Sequence, residues 1–116
     1  MLDRAKFPRD KICDEYLSPQ GSRILSDMNV LDEIERTSPA HLSGMRIRAP
    51  DGHYADGEFA ANHGFRPFRE YGLAIRRTIL DEIVIRGART AGARVEESVL
   101  VQGPLVDSSG HRPTDA

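Results

Sequence analysis

The sequence predicts one small domain of mixed helices and strands, α/β in the order of its elements and α+β when taken on its own. The chain has 116 residues, which is enough for one hydrophobic core and too few for two. Apolar residues recur at helical spacing in several regions, with shorter apolar runs between them. An alternating run of apolar residues and arginines is followed by a Pro-Asp-Gly turn, which is typical of a β-hairpin.

The N-terminal part is predicted to hold a strand end, a loop and a helix. Met1 and Leu2 read as the last residues of a buried strand, and the segment "FPRDKICDEYLSPQG" reads as loop-like. Ser18 is expected to cap a helix from about Pro19 to Met28, because proline lacks the N–H that the first helical position leaves unbonded. This helix is expected to bury Ile24, Leu25 and Met28.

A second helix and a hairpin are predicted next. Asn29 is expected to cap a helix that ends near Thr37, because Asp32 completes a capping-box pattern three residues later. Two antiparallel strands are expected over about residues 43–49 and 53–60, on either side of the Pro-Asp-Gly turn. The buried stripe of the helix is predicted to be Val30, Leu31 and Ile34.

The C-terminal part is predicted to hold a strand, a long helix and another strand. Leu73 to Ile75 form the first strand, and Thr78 with Asp81 is a capping-box pattern that starts the helix. Gly92 is expected to end it. Helical spacing predicts a buried face of Ile79, Leu80, Ile83, Val84, Gly87, Ala88 and Ala91. The charged residues expected to face water are Asp81, Glu82, Arg86 and Arg89.

The last segments complete the domain boundaries. Residues 93–106 read as a strand that is most buried from Val99 to Val101. Residues 107–116 read as a polar tail rich in turn-forming residues, and we expect it to be disordered. The predicted domain therefore covers residues 1–106.

Composition argues against several classes of function. A net charge of -2 and a pI near 6.1 give no electrostatic reason to expect nucleic acid or an anionic membrane as a partner. The single cysteine, Cys13, cannot form an internal disulfide, which favours a reducing cytoplasm. The histidines are scattered without metal-ligand spacing, and no apolar run is long enough for a membrane helix. We therefore expect a cytoplasmic protein without a metal site.

Two places in the sequence, the arginine pair before the third helix and Asp3, are candidates for ligand contacts. Arg76 and Arg77 stand just before the third helix, where an arginine can reinforce the anion-binding N–H groups of a helix N-terminus. The alternative is a pair of solvated surface arginines, which are common. Asp3 follows a strand end, the position from which dinucleotide-binding folds hydrogen-bond an adenosine ribose, although an aspartate there is more often a turn residue.

Cys13 lies in a charged loop. Lys11 favours its thiolate, whereas Asp14 and Glu15 oppose it. We therefore interpret Cys13 as a structural or cofactor-facing cysteine and not as a nucleophile.

Four segments, in their order along the chain, resemble the FAD-dependent oxidoreductases of the p-hydroxybenzoate hydroxylase fold, particularly the branch with geranylgeranyl reductases, flavin halogenases and aromatic-polyketide monooxygenases. The segments are "LDRAKFPRDKICDEYLSP", "GSRILSDMNVLDEI", "LSGMRIRAPDG" and "GLAIRRTILDEIVIRGARTAGARV". The resemblance implies an incomplete Rossmann-like FAD-binding domain with an inserted β-hairpin. It also implies FAD as the cofactor, NAD(P)H as the reductant and a small organic substrate.

The resemblance implies roles for individual residues. Asp3 looks like the acidic residue that binds the adenosine ribose, with Arg4 beside it near the adenine. Arg77 looks like the arginine that reaches the phosphate and ribitol region of FAD, which favours it over Arg76. Val101 resembles a strand position whose backbone contacts adenine. A motif near the flavin ring, usually Lys-x-Cys-Gly-Glu, is matched by Lys11, Cys13 and Glu15.

The sequence also departs from the family. The family begins with a strand and a G-x-G-x-x-G loop that hold the pyrophosphate, and it continues into a Gly-Asp segment and a substrate domain; this sequence has none of these. Asp14 replaces the glycine that lets the backbone approach the flavin. We therefore expect a fragment of a flavoprotein that is inactive alone. The alternatives are a stand-alone, non-catalytic α+β binding module and a non-functional remnant.

Overall fold

A computed structural model describes residues 1–13, 15–60, 64 and 66–104 and confirms the predicted α+β fold. The elements are β1 (Tyr16–Leu17), α1 (Pro19–Asp27), α2 (Leu31–Arg36), β2 (Ala40–Leu42), β3 (Gly44–Arg48), β4 (Tyr54–Glu58), β5 (Gly72–Ala74) and α3 (Arg77–Thr90). Strands β1, β5 and β2 form an antiparallel sheet with β5 at its centre, and β3 and β4 form a separate antiparallel hairpin.

The hydrophobic core joins the central strand β5 to the three helices. Ile34 of α2 and Leu73 of β5 are fully buried. Gly87 allows α3 to pack closely on the segment before α2, because a Cβ atom at this position would lie 2.6 Å from Cγ1 of Val30. The other buried residues of this cluster are Leu25, Val30, Leu31, Ile75 and Ile83.

Helix α1 begins as the sequence predicts. Pro19 occupies the first turn, and Oγ of Ser18 accepts a hydrogen bond of 3.1 Å from the backbone N–H of Gly21. Since the first N–H groups of a helix have no partner within the helix, this bond stabilises its N-terminus.

Replacing Ser18 by alanine is therefore expected to lower the free energy of unfolding by about 1 kcal/mol. Chemical denaturation of the two proteins measures this loss. Ser43→Ala is the matched control, since Ser43 is exposed and caps no helix. An equal loss in both variants would contradict the capping role.

The buried faces of the first two helices differ in part from the prediction. Leu25 is buried, but Ile24 and Met28 are 56% and 46% exposed. The buried face of α1 includes the small residue Ser22, which is fully buried and which an apolar pattern does not identify. The stripe Val30, Leu31 and Ile34 is buried as predicted.

Asn29 does not cap α2. It has a φ of 57°, and its N–H donates a 2.9 Å hydrogen bond to the carbonyl of Ser26, so it terminates α1. The residue that precedes α2 is Val30, without a side-chain cap. The prediction was wrong because Asp32 three residues later is also compatible with an uncapped start.

Helix α3 begins two residues earlier than predicted, without the Thr78 capping box. Arg76 is the N-cap residue and its side chain makes no capping bond. Asp81 instead binds the side chain of Arg77, which occupies the first helical position. At the other end Gly92 has a φ of 90°, and the N–H of Ala93 bonds to the carbonyl of Ala88, so the predicted glycine stop is confirmed.

The predicted burial of α3 is also partly wrong. Ile83 is buried, but Ile79 is 37% exposed and Ala91 is exposed. Ile85 is buried instead. With Val84 it lines a groove whose other side is formed by Met1 to Arg9, called the N-terminal segment below. The N-terminal segment therefore covers a second side of α3, which a single amphipathic stripe does not indicate.

The two strands predicted at residues 1–2 and 93–106 are reduced to a single bridge within the described residues. Leu2 forms an isolated parallel bridge with Glu96, as a strand end would. Residues 97–104 form no strand, and the described part of the 93–106 prediction is therefore wrong beyond the bridge. Val99 is half-buried, while Leu100 and Val101 are 66% and 61% exposed. Residues 105 and 106, like the predicted tail, lie outside the described residues.

The hairpin confirms the turn at Pro50-Asp51-Gly52. Both of its faces are exposed, including Met45 and Ile47. On one face Arg46 forms two hydrogen bonds with Asp56, and these lower the pKa of Asp56. None of the helices in the described part of the chain is long and apolar enough to cross a membrane.

A charged cluster connects α2 to the segment before β5. Glu35 binds Arg69 and, at 3.0 Å, Nε2 of His41. Burial desolvates the Glu35 carboxylate and acts to raise its pKa, but the hydrogen bonds from Arg69 and His41 together outweigh this effect, so the pKa is lowered.

A depressed pKa means that the charged Glu35 stabilises the fold above its unfolded value of 4.5 and that this stability is lost as the pH falls through the folded value. We expect Glu35→Gln to lower the free energy of unfolding by roughly 1 to 2 kcal/mol at pH 7. The difference from the unmodified protein should shrink below pH 4.5. Unfolding curves across this range measure it, with Glu58→Gln as the control; a pH-independent difference would contradict the assignment.

Candidate functional site

A groove of about 270 Å³ lies between the N-terminal segment and α3. Two arginines and two aspartates line it, one of each from the N-terminal segment and one of each from α3. These charged residues are Asp3, Arg9, Arg77 and Asp81, and the other lining residues are Met1, Phe7, Val84 and Ile85.

Asp3 reaches this groove because the backbone around it is held by the parallel bridge. Its N–H donates to the carbonyl of Glu96 at 3.0 Å, and its carbonyl accepts from Val99 at 2.9 Å. Oδ1 accepts a 2.9 Å hydrogen bond from the N–H of Ala5. Asp3 is thus both a turn residue and a groove residue, so the two interpretations from the sequence are compatible.

Arg77 is held by residues on both sides. Its Nε and Nη2 donate to the two carboxylate oxygens of Asp81 at 2.8 and 3.1 Å. It also hydrogen-bonds the side chain of Cys13, and this bond, followed by the bond to Asp81, raises the pKa of Arg77. The guanidinium is therefore fixed and charged at the start of α3. Arg76, by contrast, is exposed, as the surface interpretation predicts.

Arg9 is a residue of the groove that the sequence analysis missed. Its Nη2 lies 3.7 Å from Oδ2 of Asp3 and 3.8 Å from Oδ2 of Asp81. The Cζ atom lies 5.2 Å from the centre of the Phe7 ring. No local pattern distinguishes Arg9 from the other charged residues of this loop, since its partners are decided by the tertiary fold.

A second groove, of about 370 Å³, adjoins the first through Asp3 and Arg9. Its other lining residues include Arg4 and Lys11, two of the predicted site residues. The structure thus brings Asp3 and Arg77 to one groove, with Cys13 bonded to Arg77, and places Arg4 and Lys11 on the neighbouring one.

Two other predicted residues lie elsewhere. Glu15 is exposed with a φ of 56°, and its carbonyl accepts a hydrogen bond from Ile75. Val101 is exposed and lines neither groove. Asp14, the predicted obstacle near the flavin, lies outside the described residues. Within the described ranges, no group of three or more His, Cys, Asp or Glu residues is placed to hold a metal ion.

The groove combines hydrogen-bond donors with acceptors. The formal charges of its two arginines and two aspartates balance. Carboxylates accept hydrogen bonds from hydroxyl groups, and guanidinium groups donate to hydroxyl, carbonyl or phosphate oxygens. These residues fit the sugar and the flanking oxygen atoms of a nucleotide such as FAD.

Comparisons with known proteins begin with sequence. No protein-family model matches the chain. The chain is 28% identical over 112 residues to conditioned medium factor receptor 1 of Dictyostelium discoideum, which covers 94% of this chain and 22% of that protein. The chain thus spans about a fifth of the length of this relative.

Several solved structures have a similar fold. A flavoprotein/dehydrogenase from Cytophaga hutchinsonii matches with a TM-score of 0.73 and 21% identity, over 97% of this chain and 29% of that one. The flavin-dependent halogenase CmlS matches with a TM-score of 0.71 and 22% identity, over 84% of this chain and 17% of that one. CndH is a myxobacterial chondrochloren halogenase described as a variant of FAD-dependent halogenases. It matches with a TM-score of 0.68 and 24% identity, over 88% of this chain and 24% of that one.

Each of these chains is more than three times as long as the part that matches. At this level of identity the likeness establishes the fold alone. The chain therefore has an α+β fold that is also present in flavin-dependent enzymes.

Proposed function

We propose that this chain forms one wall of an FAD site in an oxidoreductase that uses NAD(P)H and acts on a small organic molecule. The observation that carries the proposal is that Asp3 and Arg77, which are far apart in sequence, line one groove, while Cys13 hydrogen-bonds Arg77. The resemblance to FAD-dependent oxidoreductases gives each of them a place at the cofactor. The shared fold with flavin-dependent enzymes supports it.

In this site Asp3 accepts a hydrogen bond from a ribose hydroxyl, and Arg77 donates to an oxygen of the phosphate or ribitol region. Asp81 keeps the Arg77 guanidinium in place through its two hydrogen bonds. Arg4 and Lys11 add positive charge along the neighbouring groove. FAD, when bound, supplies the redox chemistry, and the protein positions it.

The chain is expected to bind FAD weakly. Dinucleotide-binding folds hold the pyrophosphate with a G-x-G-x-x-G turn and the helix that follows, and no such motif occurs in the printed sequence. The described groove therefore provides the sugar contacts without this phosphate loop.

Titration of FAD into the purified chain, followed by flavin fluorescence, tests the proposal. Riboflavin is the matched probe, because it lacks the adenosine and both phosphates. We expect saturable binding of FAD and no binding of riboflavin at the same concentrations. A version with a strand and a G-x-G-x-x-G turn placed before Met1 should bind FAD more tightly. Absence of FAD binding by a cooperatively folded chain would refute the proposal.

A second candidate function is a non-catalytic binding module. One observation favours it, namely that the relative from Dictyostelium discoideum carries the name of a receptor. This candidate predicts a monodisperse, cooperatively folded chain whose thermal transition does not respond to FAD. The titration above thus separates the two functions.

A further inference from the structure

A cavity of about 260 Å³ lies where β1 and the start of α1 meet the end of β4 and the loop before β5. It shares no lining residue with either of the two charged grooves. Three aromatic rings line it, those of Tyr16, Phe59 and Phe68. Cavities for drug-sized ligands measure roughly 300 to 1,000 Å³, so this one suits a molecule with a single ring or a short chain.

Two of the three rings form a fixed wall. The rings of Tyr16 and Phe59 stack with their centres 6.0 Å apart and their planes at 19°. Gly72 of the central strand lets both rings lie against its backbone, because a Cβ atom there would be 2.7 Å from Cε2 of Tyr16 and 3.4 Å from Cε2 of Phe59. Phe68, which is 46% exposed, offers a third ring to the same cavity. The aromatic wall is thus in place before a ligand arrives.

Glu58 gives the cavity its charge. Among the described residues that line the cavity, Glu58 is the one acid and none is a lysine, arginine or histidine. Its carboxylate makes no hydrogen bond or ion pair with another described residue. Arg69 lies over the Phe68 ring, with Cζ 5.6 Å from the ring centre, but it does not line the cavity. Since Arg69 is paired with Glu35, the Glu58 carboxylate is available to a ligand.

The start of α1, at the edge of the cavity, does not cancel this charge. A helix N-terminus carries about half a positive charge, which resides on N–H groups without partners. In α1, Pro19 has no N–H, and the N–H of Gly21 donates to Oγ of Ser18. The N–H of Ser22 donates to the carbonyl of Ser18. The full negative charge of Glu58 therefore exceeds the positive charge that remains at the helix start.

Aromatic ring faces and a carboxylate together select a cation. The face of an aromatic ring carries partial negative charge and attracts ammonium groups, which aromatic cages bind in this way. A carboxylate adds to this attraction and repels a ligand that is itself an acid. We propose that this cavity is a binding site for a small amine, whose ammonium group pairs with Glu58 and packs on the three aromatic rings. The site does not rest on the proposed flavin function, because it shares no residue with the grooves.

NMR titration of the full chain tests the site with probes of similar size that differ in charge. The probes are benzylamine, benzyl alcohol and benzoate, each of which has a single phenyl ring and one further carbon atom. At neutral pH the amine is a cation, the alcohol is neutral and benzoate is an anion. The ring signals of Phe59 and Phe68 report binding, because both rings line the cavity.

Two variants separate the charge from the rings. Glu58→Gln removes the charge and keeps the size, so it should weaken benzylamine binding roughly tenfold and leave benzyl alcohol nearly unchanged. Phe68→Leu keeps an apolar side chain and removes a ring face, so it should weaken benzylamine more than benzyl alcohol. The matched controls are Glu82→Gln and Tyr54→Leu, because both residues are exposed and neither lines the cavity.

We expect saturable shifts with benzylamine, binding of benzyl alcohol that is weaker by roughly tenfold, and no shifts with benzoate. Equal affinity for the three probes, tighter binding of benzoate, or no binding by a folded chain would refute the site. Equal weakening by Glu58→Gln and Glu82→Gln would assign the effect to net charge and overturn the role of Glu58. None of these results depends on FAD, so the amine site and the flavin function stand or fall separately.

Discussion

Replacing Leu73 by alanine is expected to lower the free energy of unfolding by about 2 to 5 kcal/mol. Leu73 is fully buried at the centre of β5, which pairs with β1 on one side and β2 on the other. Truncation leaves a cavity in the core cluster that the surrounding residues cannot fill without moving. Since small domains are stable by only about 5 to 15 kcal/mol in total, the variant should unfold at a much lower denaturant concentration.

Ile47→Ala provides the comparison for Leu73. Ile47 also lies in a strand, but 65% of it is exposed, so its truncation should change stability by roughly 0.5 kcal/mol or less. Urea denaturation followed by far-UV circular dichroism measures both variants. Similar losses at the two positions would mean that the three-stranded sheet is not the stable centre of the fold.

Replacing Arg77 by alanine is expected to weaken FAD binding by roughly 1.5 to 3 kcal/mol, the range for hydrogen bonds to charged groups, or about ten- to 140-fold. Arg77 is fixed at the groove by Asp81 and Cys13, so its donors are already positioned before a ligand arrives. Arg77→Lys should recover part of the affinity, because it keeps the charge and loses the planar fork.

Arg76→Ala is the control for Arg77, since Arg76 is its exposed neighbour. Fluorescence titration with FAD compares the three variants, and a denaturation curve for each separates lost binding from lost folding. Equal weakening in Arg76→Ala and Arg77→Ala would assign the effect to net charge and exclude a specific contact from Arg77.

The parts of the fold that local chemistry determines could be predicted from the sequence. The cap at Ser18, the Pro-Asp-Gly turn and the stop at Gly92 depend on a few adjacent residues, and each lies where it was expected. The stripe from Val30 to Ile34 is equally local, because helical spacing alone brings its members to one side.

Features that depend on distant neighbours could not be predicted. Strand β1 lies inside a segment predicted as a loop, and β2 was not predicted, because two or three residues form a strand only where β5 offers them partners. Asp81 was expected to face water, yet its side chain is 12% exposed, since Arg77 and Arg9 both bind it.

The residues of the candidate site could likewise be predicted only in part. The resemblance placed Asp3, Cys13 and Arg77 at a cofactor, and the structure places Asp3 and Arg77 at one groove, with Cys13 bonded to Arg77. The structure gives no such support to Glu15 and Val101, which lie outside both grooves. Arg9 had no signal in the sequence, because its partners lie in a different part of the chain and belong to the tertiary fold.

Mapping of FAD binding by amide chemical shifts tests the central claim most directly, namely that this chain contributes a wall of an FAD site. We predict saturable shifts for the amides of Asp3, Cys13 and Arg77, with the hairpin at residues 44–58 unchanged. Shifts confined to the hairpin, or no shifts at all from a folded chain, would contradict the claim.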